Sequence, residues 1–205
     1  MQYTDNLVLK LPECTDETLV IDELNENWEI LDQVVQALRL FRMTIVDIKA
    51  ADTDGIHANI TGNGAIQNIT TAITNPDESR NATITGSTGA SGDVVLTGLV
   101  RGTSDTETIA LNGTTTVQGN KAFDTFTNIK VPAELTSPKT VSIGWGDKVG
   151  LTYEISAVAK VYKVVINSID VTSTYVTSKV NATYSTIDFS TIGAWQNIKI
   201  FYLGN

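Results

Sequence analysis

Chemistry needs reactive side chains at short range, and this chain carries few of them. It has one histidine, His57, and one cysteine, Cys14. A Ser-His-Asp triad would have to be built on His57 in Asp54-Gly55-Ile56-His57-Ala58, yet no Gly-x-Ser-x-Gly elbow occurs. His57 therefore reads as a structural residue beside a turn. A zinc site within one chain fails for want of ligands. Three copies of His57 on a three-fold axis could share one ion, which makes His57 the sole metal candidate. Cys14 excludes an internal disulfide framework and suits a reducing compartment. Nothing cationic stands beside it to favour a thiolate, so it reads as a small connector residue.

Other short motifs resolve into turn chemistry. Asp52 and Asp54 before Gly55 resemble the start of a calcium loop, but the later glutamate is missing. Gly62-Asn63-Gly64-Ala65 opens like a dinucleotide fingerprint without its third glycine or the helix that should follow. Asn-x-Thr triplets at Asn59, Asn68, Asn81, Asn112 and Asn181 are what a Thr-rich chain without a secretory signal produces by chance. Trp145 and Trp195 could stack on a sugar; burial in a core or subunit interface is the stronger reading of both rings. No cofactor site emerges.

These residues lie on elements of two kinds. Asn6–Leu11 alternates and stops at Pro12, then a polar connector spans Glu13–Thr18. From about Ile21 to Arg42 the period becomes helical. Leu24, Trp28, Leu31, Val35 and Leu38 form one apolar stripe, with Ile30, Val34, Ala37 and Phe41 beside it. A face this wide exceeds a two-stranded seam and demands several neighbours, from the same chain or from sister subunits. Asp22, Glu23 and Glu26 in the first turn, and Arg39 and Arg42 in the last, suit the helix dipole.

Beyond Met43 the composition shifts to Thr, Ser, Asn and Gly with Val and Ile at alternate positions. Met43–Ile48 alternates into a turn over Ala51–Gly55. Strands are expected at 67–73, 81–85, 94–100, 107–111, 114–118, 123–131, 140–143, 149–155, 161–166, 175–180 and 198–203. Asn112-Gly113 is the clearest hairpin signal, and Gly119-Asn120 and Gly144-Trp145-Gly146-Asp147 read as turns. Ser156–Lys160 is too short to predict as a helix. The expectation is a mainly β protein: antiparallel β-sandwich domains at 43–205, with a possible subdivision near 150. An extended arm and one amphipathic helix at 1–42 precede them.

The 205 residues carry a net charge of −9. With a pI of about 4.5 the chain lacks a basic face for nucleic acid. No basic n-region with an apolar core opens the chain, and no run is long enough to span a membrane, so a soluble protein made in a cytoplasm is expected.

Two stretches carry a family resemblance. Tyr3, Thr4, Asn6, Leu7, Leu9, Pro12, Thr15, Asp16, Asn25, Asn27, Trp28, Leu31 and Asp32 form a pattern that resembles the opening of many tailed-bacteriophage virion proteins. Asp54–Ala58, Ile73–Asp77, Arg80-Asn81, Gly119–Phe123 and Ile143–Leu151 are similar to a β-domain of phage head-fibre and capsid-decoration proteins; Glu78-Ser79 departs from that form. The resemblance implies a non-enzymatic virion protein on the capsid surface, a homotrimer bound to the major capsid protein, without nucleic-acid or membrane partners. Its trimer contact would use Leu24, Trp28, Leu31, Val35 and Leu38. The alternative it allows is a tail-fibre or baseplate subunit that recognises the host surface; nothing in the sequence supports a host-surface glycan as its partner. A glycan-active module would need a carboxylate pair at fixed separation, and the strands cluster no acids that suggest one.

Overall fold

The computed structural model describes residues 2–3, 10–11, 27–31, 34, 41–190 and 196–204. The chain divides into two compact units, Met1–Arg42 and Met43–Asn205. In the first, β1 (Gln2–Tyr3) pairs antiparallel with β2 (Lys10–Leu11). Residues 27–31 and 34 are helical, with Trp28 69% exposed and Ile30, Leu31 and Val34 half-buried. Cys14, Leu24, Val35 and Leu38 lie outside the described residues. Phe41, expected in the helix's second stripe, instead opens β3 (Phe41–Ile48).

The second unit is mainly β, built from three antiparallel sheets. One contains β4 (Asp52–Thr61), β6 (Arg80–Gly86), β9 (Val117–Phe123), β11 (Thr140–Gly150), β14 (Val180–Asn181) and β15 (Thr186–Asp188). Its order is β14-β15-β11-β6-β9, with β4 also on β11. A second sheet, β5-β10-β7-β8, uses β5 (Gln67–Ile69), β7 (Asp93–Val100), β8 (Thr103–Ala110) and β10 (Thr125–Val131). These two sheets enclose one core, which includes Ile84, Leu96, Phe123, Ile129, Val141 and Ile143. Alternation makes that possible: in β7 the buried Val94, Leu96, Gly98 and Val100 alternate with half-buried residues.

The third sheet is β13-β12-β16-β3, from β12 (Val161–Ile166), β13 (Ile169–Asp170) and β16 (Gln196–Leu203) with β3. It covers a second core containing Val46, Ile48, Val149, Val164, Tyr175, Phe189, Ile200 and Tyr202. Strand β11 feeds both cores: Val141, Ile143 and Trp145 enter the first, Val149 the second. One strand thus stands where two were expected, at 140–143 and 149–155, and it ends at Gly150 rather than Ile155.

Several local expectations are overturned. The Asp-rich segment 51–55 is not a turn but the start of β4, because Asp52 pairs with Trp145 of β11. A Cβ on Gly55 would stand 2.6 Å from the Trp145 ring, so glycine here makes room for the indole. Asn112-Gly113 makes a tight turn, Thr115 N–H donating to Asn112 C=O at 3.0 Å, yet no hairpin results. β8 pairs with β7 and β9 with β6, so the turn carries the chain between sheets. The two-residue hairpin sits instead at Arg101-Gly102, between paired Val100 and Thr103. Both residues have positive φ, 49° and 74°, as a twist-matched two-residue turn requires.

Gly119-Asn120 and Gly144–Asp147 are not turns either; they are irregularities inside β9 and β11 where register shifts against β6. The strand expected at 114–118 therefore moves to Val117–Phe123. Most of segment 175–180 is helical: Thr172–Ser178 forms an α-helix, with only Val180 in a strand, and Val158–Lys160 forms a single 3₁₀ turn. Its Thr and Val content favours strand, but burying Tyr175 beside Phe189, ring centroids 5.0 Å apart, outweighs that preference. Thr172 N–H donates to Asp170 Oδ1 at 3.0 Å and orders the helix entry. Among the described residues no helix is long and apolar enough to cross a membrane.

Candidate functional site

The two irregular strands flank Arg80 and Asn81, and these side chains hold them. Arg80 starts β6 on the same face as Ala82 and Ile84, and it is fully buried. Its Nε donates to Gly146 C=O at 2.8 Å, Nη2 donates to the same oxygen, and Nη1 donates to Lys49 C=O at 3.1 Å. Asp77 lies 3.8 Å from the guanidinium. Burial lowers the Arg80 pKa, and the charges of Asp77, Asp147 and Glu78 oppose that. On the other face, Asn81 Oδ1 accepts from Lys148 N–H at 2.9 Å while its amide donates to Gly119 C=O at 3.1 Å. One residue thus ties both bulges. The free edge of β9 is covered by a side chain: Glu107 Oε1 accepts from the N–H groups of Asn120 and Lys121 at 2.6 and 3.3 Å.

Next to this polar cluster runs a cleft of about 530 Å³, lined among others by Thr44, Asp77, Glu78, Arg101, Asp124 and Tyr153. A neighbouring trough of about 520 Å³ shares Arg101, Thr152 and Tyr153 with it. Most of its charges already hold loops. Arg101 Nη2 donates to Glu154 Oε1 at 2.8 Å, Asp124 Oδ2 accepts from Gly102 N–H at 2.9 Å, and Asp77 Oδ2 from Lys49 N–H at 3.2 Å. Glu78 differs. Burial raises its pKa, repulsion from Asp77 and Asp47 adds to this, and Arg80 offsets part of it. Asp147 is also raised, first by burial, with Arg80 opposing and Asp188 reinforcing. The cleft is an acidic, hydroxyl-bearing seam between the two cores.

The residues singled out from the sequence fall far apart. His57 is half-buried in β4 opposite Ile143, its Nδ1 3.1 Å from Ala58 O. Among the described residues no group of three His, Cys, Asp or Glu side chains is placed to hold a metal ion. Asp52 Oδ1 accepts from Asp54 N–H at 3.2 Å, and Asp54 is raised in pKa chiefly by a side-chain hydrogen bond with Asp52. Trp145 is a core residue whose Nε1 donates to Ala50 C=O at 3.1 Å; Trp195 lies outside the described residues. Asn81 of the Asn-Ala-Thr triplet is buried, which leaves no room for a glycan. Of the proposed interface stripe, Trp28 is exposed and Leu31 half-buried.

Sequence reasoning named Arg80 only within the Arg80-Asn81 motif and gave it no role, although alternation with Ala82 and Ile84 places it on the inward face. It also passed over Arg101-Gly102, which stands between two alternating runs as a hairpin turn would. No protein family, curated protein or solved structure matches the chain.

Proposed function

We propose that this is a non-enzymatic structural protein of a phage virion, a trimeric capsid-decoration or head-fibre subunit that attaches to the major capsid protein. One observation carries the reading. Among the described residues, both cores of the β-body are built from residues between Val46 and Tyr202, while Trp28 of the helical segment is 69% exposed. A body whose described core residues all lie beyond residue 42 is consistent with a first unit that serves assembly or docking, as the N-terminal virion-like motif implies. A body rich in Thr, Ser and Asn fits a shell ornament, its hydroxyls pairing with one another as those of Thr85 and Thr116 do at 2.8 Å. Binding at repeated capsid sites would stabilise the particle by mass action.

The test is electron cryomicroscopy of virions from the phage that encodes the chain. Density for a two-core β-body at symmetric capsid sites is the expected result. Density at the tail tip overturns it in favour of a host-recognition subunit, and absence from the particle overturns both.

A further inference from the structure

The β7–β8 hairpin turns on Arg101-Gly102, and Arg101 is an unfavoured residue for the backbone it occupies. With φ at 49° it stands in the left-handed region, at a turn position where asparagine, aspartate or glycine is preferred. A strained arginine at such a position points to a use for its side chain. That side chain leaves its own sheet. Nη2 donates to Glu154 Oε1 at 2.8 Å and Nη1 donates to Tyr184 C=O at 3.3 Å. Glu154 follows β11, and Tyr184 lies in the turn 182–185 between β14 and β15. The same turn supports the cleft. Ser185, buried and with φ at 52°, accepts Leu151 N–H on its C=O at 2.8 Å and Ile155 N–H on its Oγ at 3.0 Å. Leu151 lines the cleft, while Arg101 and Thr152 line both the cleft and the neighbouring trough. Arg101 thus stands in the wall between the two spaces.

We propose that Arg101 is a releasable strap. It pins the 182–185 turn to the β7–β8 hairpin, and its release loosens that turn, frees the backbone from Leu151 to Ile155 and opens the wall between cleft and trough. The contacts that close the strap are few. The Arg101 and Glu154 side chains are 23% and 65% exposed, so water and salt screen their ion pair, and one neutral carbonyl completes the grip. The hairpin has a separate hold, because Asp124 Oδ2 accepts Gly102 N–H at 2.9 Å. All eight residue pairs of β7 with β8 lie outside the strap as well. Release therefore need not disturb the sheet. The inference does not depend on the virion reading; it places an opening in the seam between the two cores.

The experiment is hydrogen-exchange mass spectrometry of the full chain and of two variants. Arg101→Asn gives the turn a preferred residue and deletes the strap, while Glu154→Gln keeps the shape and removes the charge. Expected for Arg101→Asn is exchange at least about fivefold faster in peptides covering 182–186 and 151–155. Peptides covering 94–100 of β7 and 141–145 of β11 should be unchanged. In the wild type, raising salt from about 0.01 to about 1 M shortens the screening length from about 30 to about 3 Å and should speed the same two segments. Glu154→Gln should lack that response. Unchanged exchange at 182–186 in Arg101→Asn overturns the strap. Acceleration of all segments alike also overturns it, since Arg101 would then support global stability. Acceleration confined to the hairpin does the same, leaving Arg101 a turn residue only. An equal salt response in the wild type and Glu154→Gln overturns release through the ion pair.

Discussion

Arg80 ties the irregular stretch of β11 to the segment after β3 through one buried side chain. A fully buried guanidinium is tolerable only when its donors are engaged, and here they go to two backbone carbonyls, Gly146 and Lys49, with Asp77 nearby. Arg80→Met keeps much of the volume but strips hydrogen bonds from both carbonyls inside a low-dielectric seam. The expected loss is about 3 kcal/mol in denaturant unfolding. A loss under about 1 kcal/mol would mean that those carbonyls find other donors. Glu78 tests the same cluster by pH. Its carboxyl is held above the ordinary 4.5, so the folded chain keeps a proton that the unfolded chain releases. That contribution to stability is complete below pH 4.5 and is lost as pH rises through 4.5 towards the raised value. Glu78→Gln removes the titration. Its melting temperature relative to wild type should therefore climb across that window and stay level above it; a constant difference from pH 3.5 to 7, about a unit below and several above the ordinary value, would reject the assignment.

At the scale of elements, legibility tracked how far each strand's partner was encoded nearby. β7 and β16 follow plain alternation, and β12 keeps its bounds despite a register shift between Val161 and Lys163; all three were readable within one or two residues. Gly119-Asn120 and Gly144–Asp147 looked like turns because glycine marks both turns and bulges. Which of the two forms depends on Asn81 and Arg80, dozens of residues away, and no local window holds that information. The same holds at Asn112-Gly113, where the turn is correct but its flanking strands take partners in different sheets. The candidate site was less legible still. The acidic seam gathers Asp77 and Glu78, Arg101, Asp124 and Tyr153 from four separate loops and strand ends. The helix Thr172–Ser178 is the clearest contest between propensity and packing. If Tyr175 holds it, Tyr175→Ala should cost about 3 kcal/mol, whereas Asp170→Ala, which removes the bonds to Thr172 and an exposed ion pair with Lys163, should cost about 1 kcal/mol. Equal costs, measured by thermal unfolding, would show that the entry bonds and not the ring determine this helix.

For the whole molecule the decisive feature is that the two cores are joined by a strand rather than a linker. Val141, Ile143 and Trp145 of β11 are buried in one core and Val149 in the other, and what separates them, Gly146-Asp147-Lys148, is an irregularity within the strand itself. Domains joined by flexible segments melt independently, whereas two cores that share a continuous hydrogen-bonded strand cannot lose one without fraying the other. Arg80 strengthens this coupling, since its donors reach β11 at Gly146 and the segment after β3 at Lys49. A chain of residues 41–205 retains β3 and every described residue of both cores. It should fold and unfold in one calorimetric transition, with the calorimetric and van't Hoff enthalpies equal. Two transitions would make residue 150 a true domain boundary; failure to fold would mean that residues 1–40 supply part of the β-body's stability. The same fragment bears on attachment. If residues 1–40 dock or assemble the protein, the folded fragment should no longer co-sediment with phage heads. If it binds heads as tightly as the full chain, the docking surface lies on the β-body and the N-terminal unit serves some other contact.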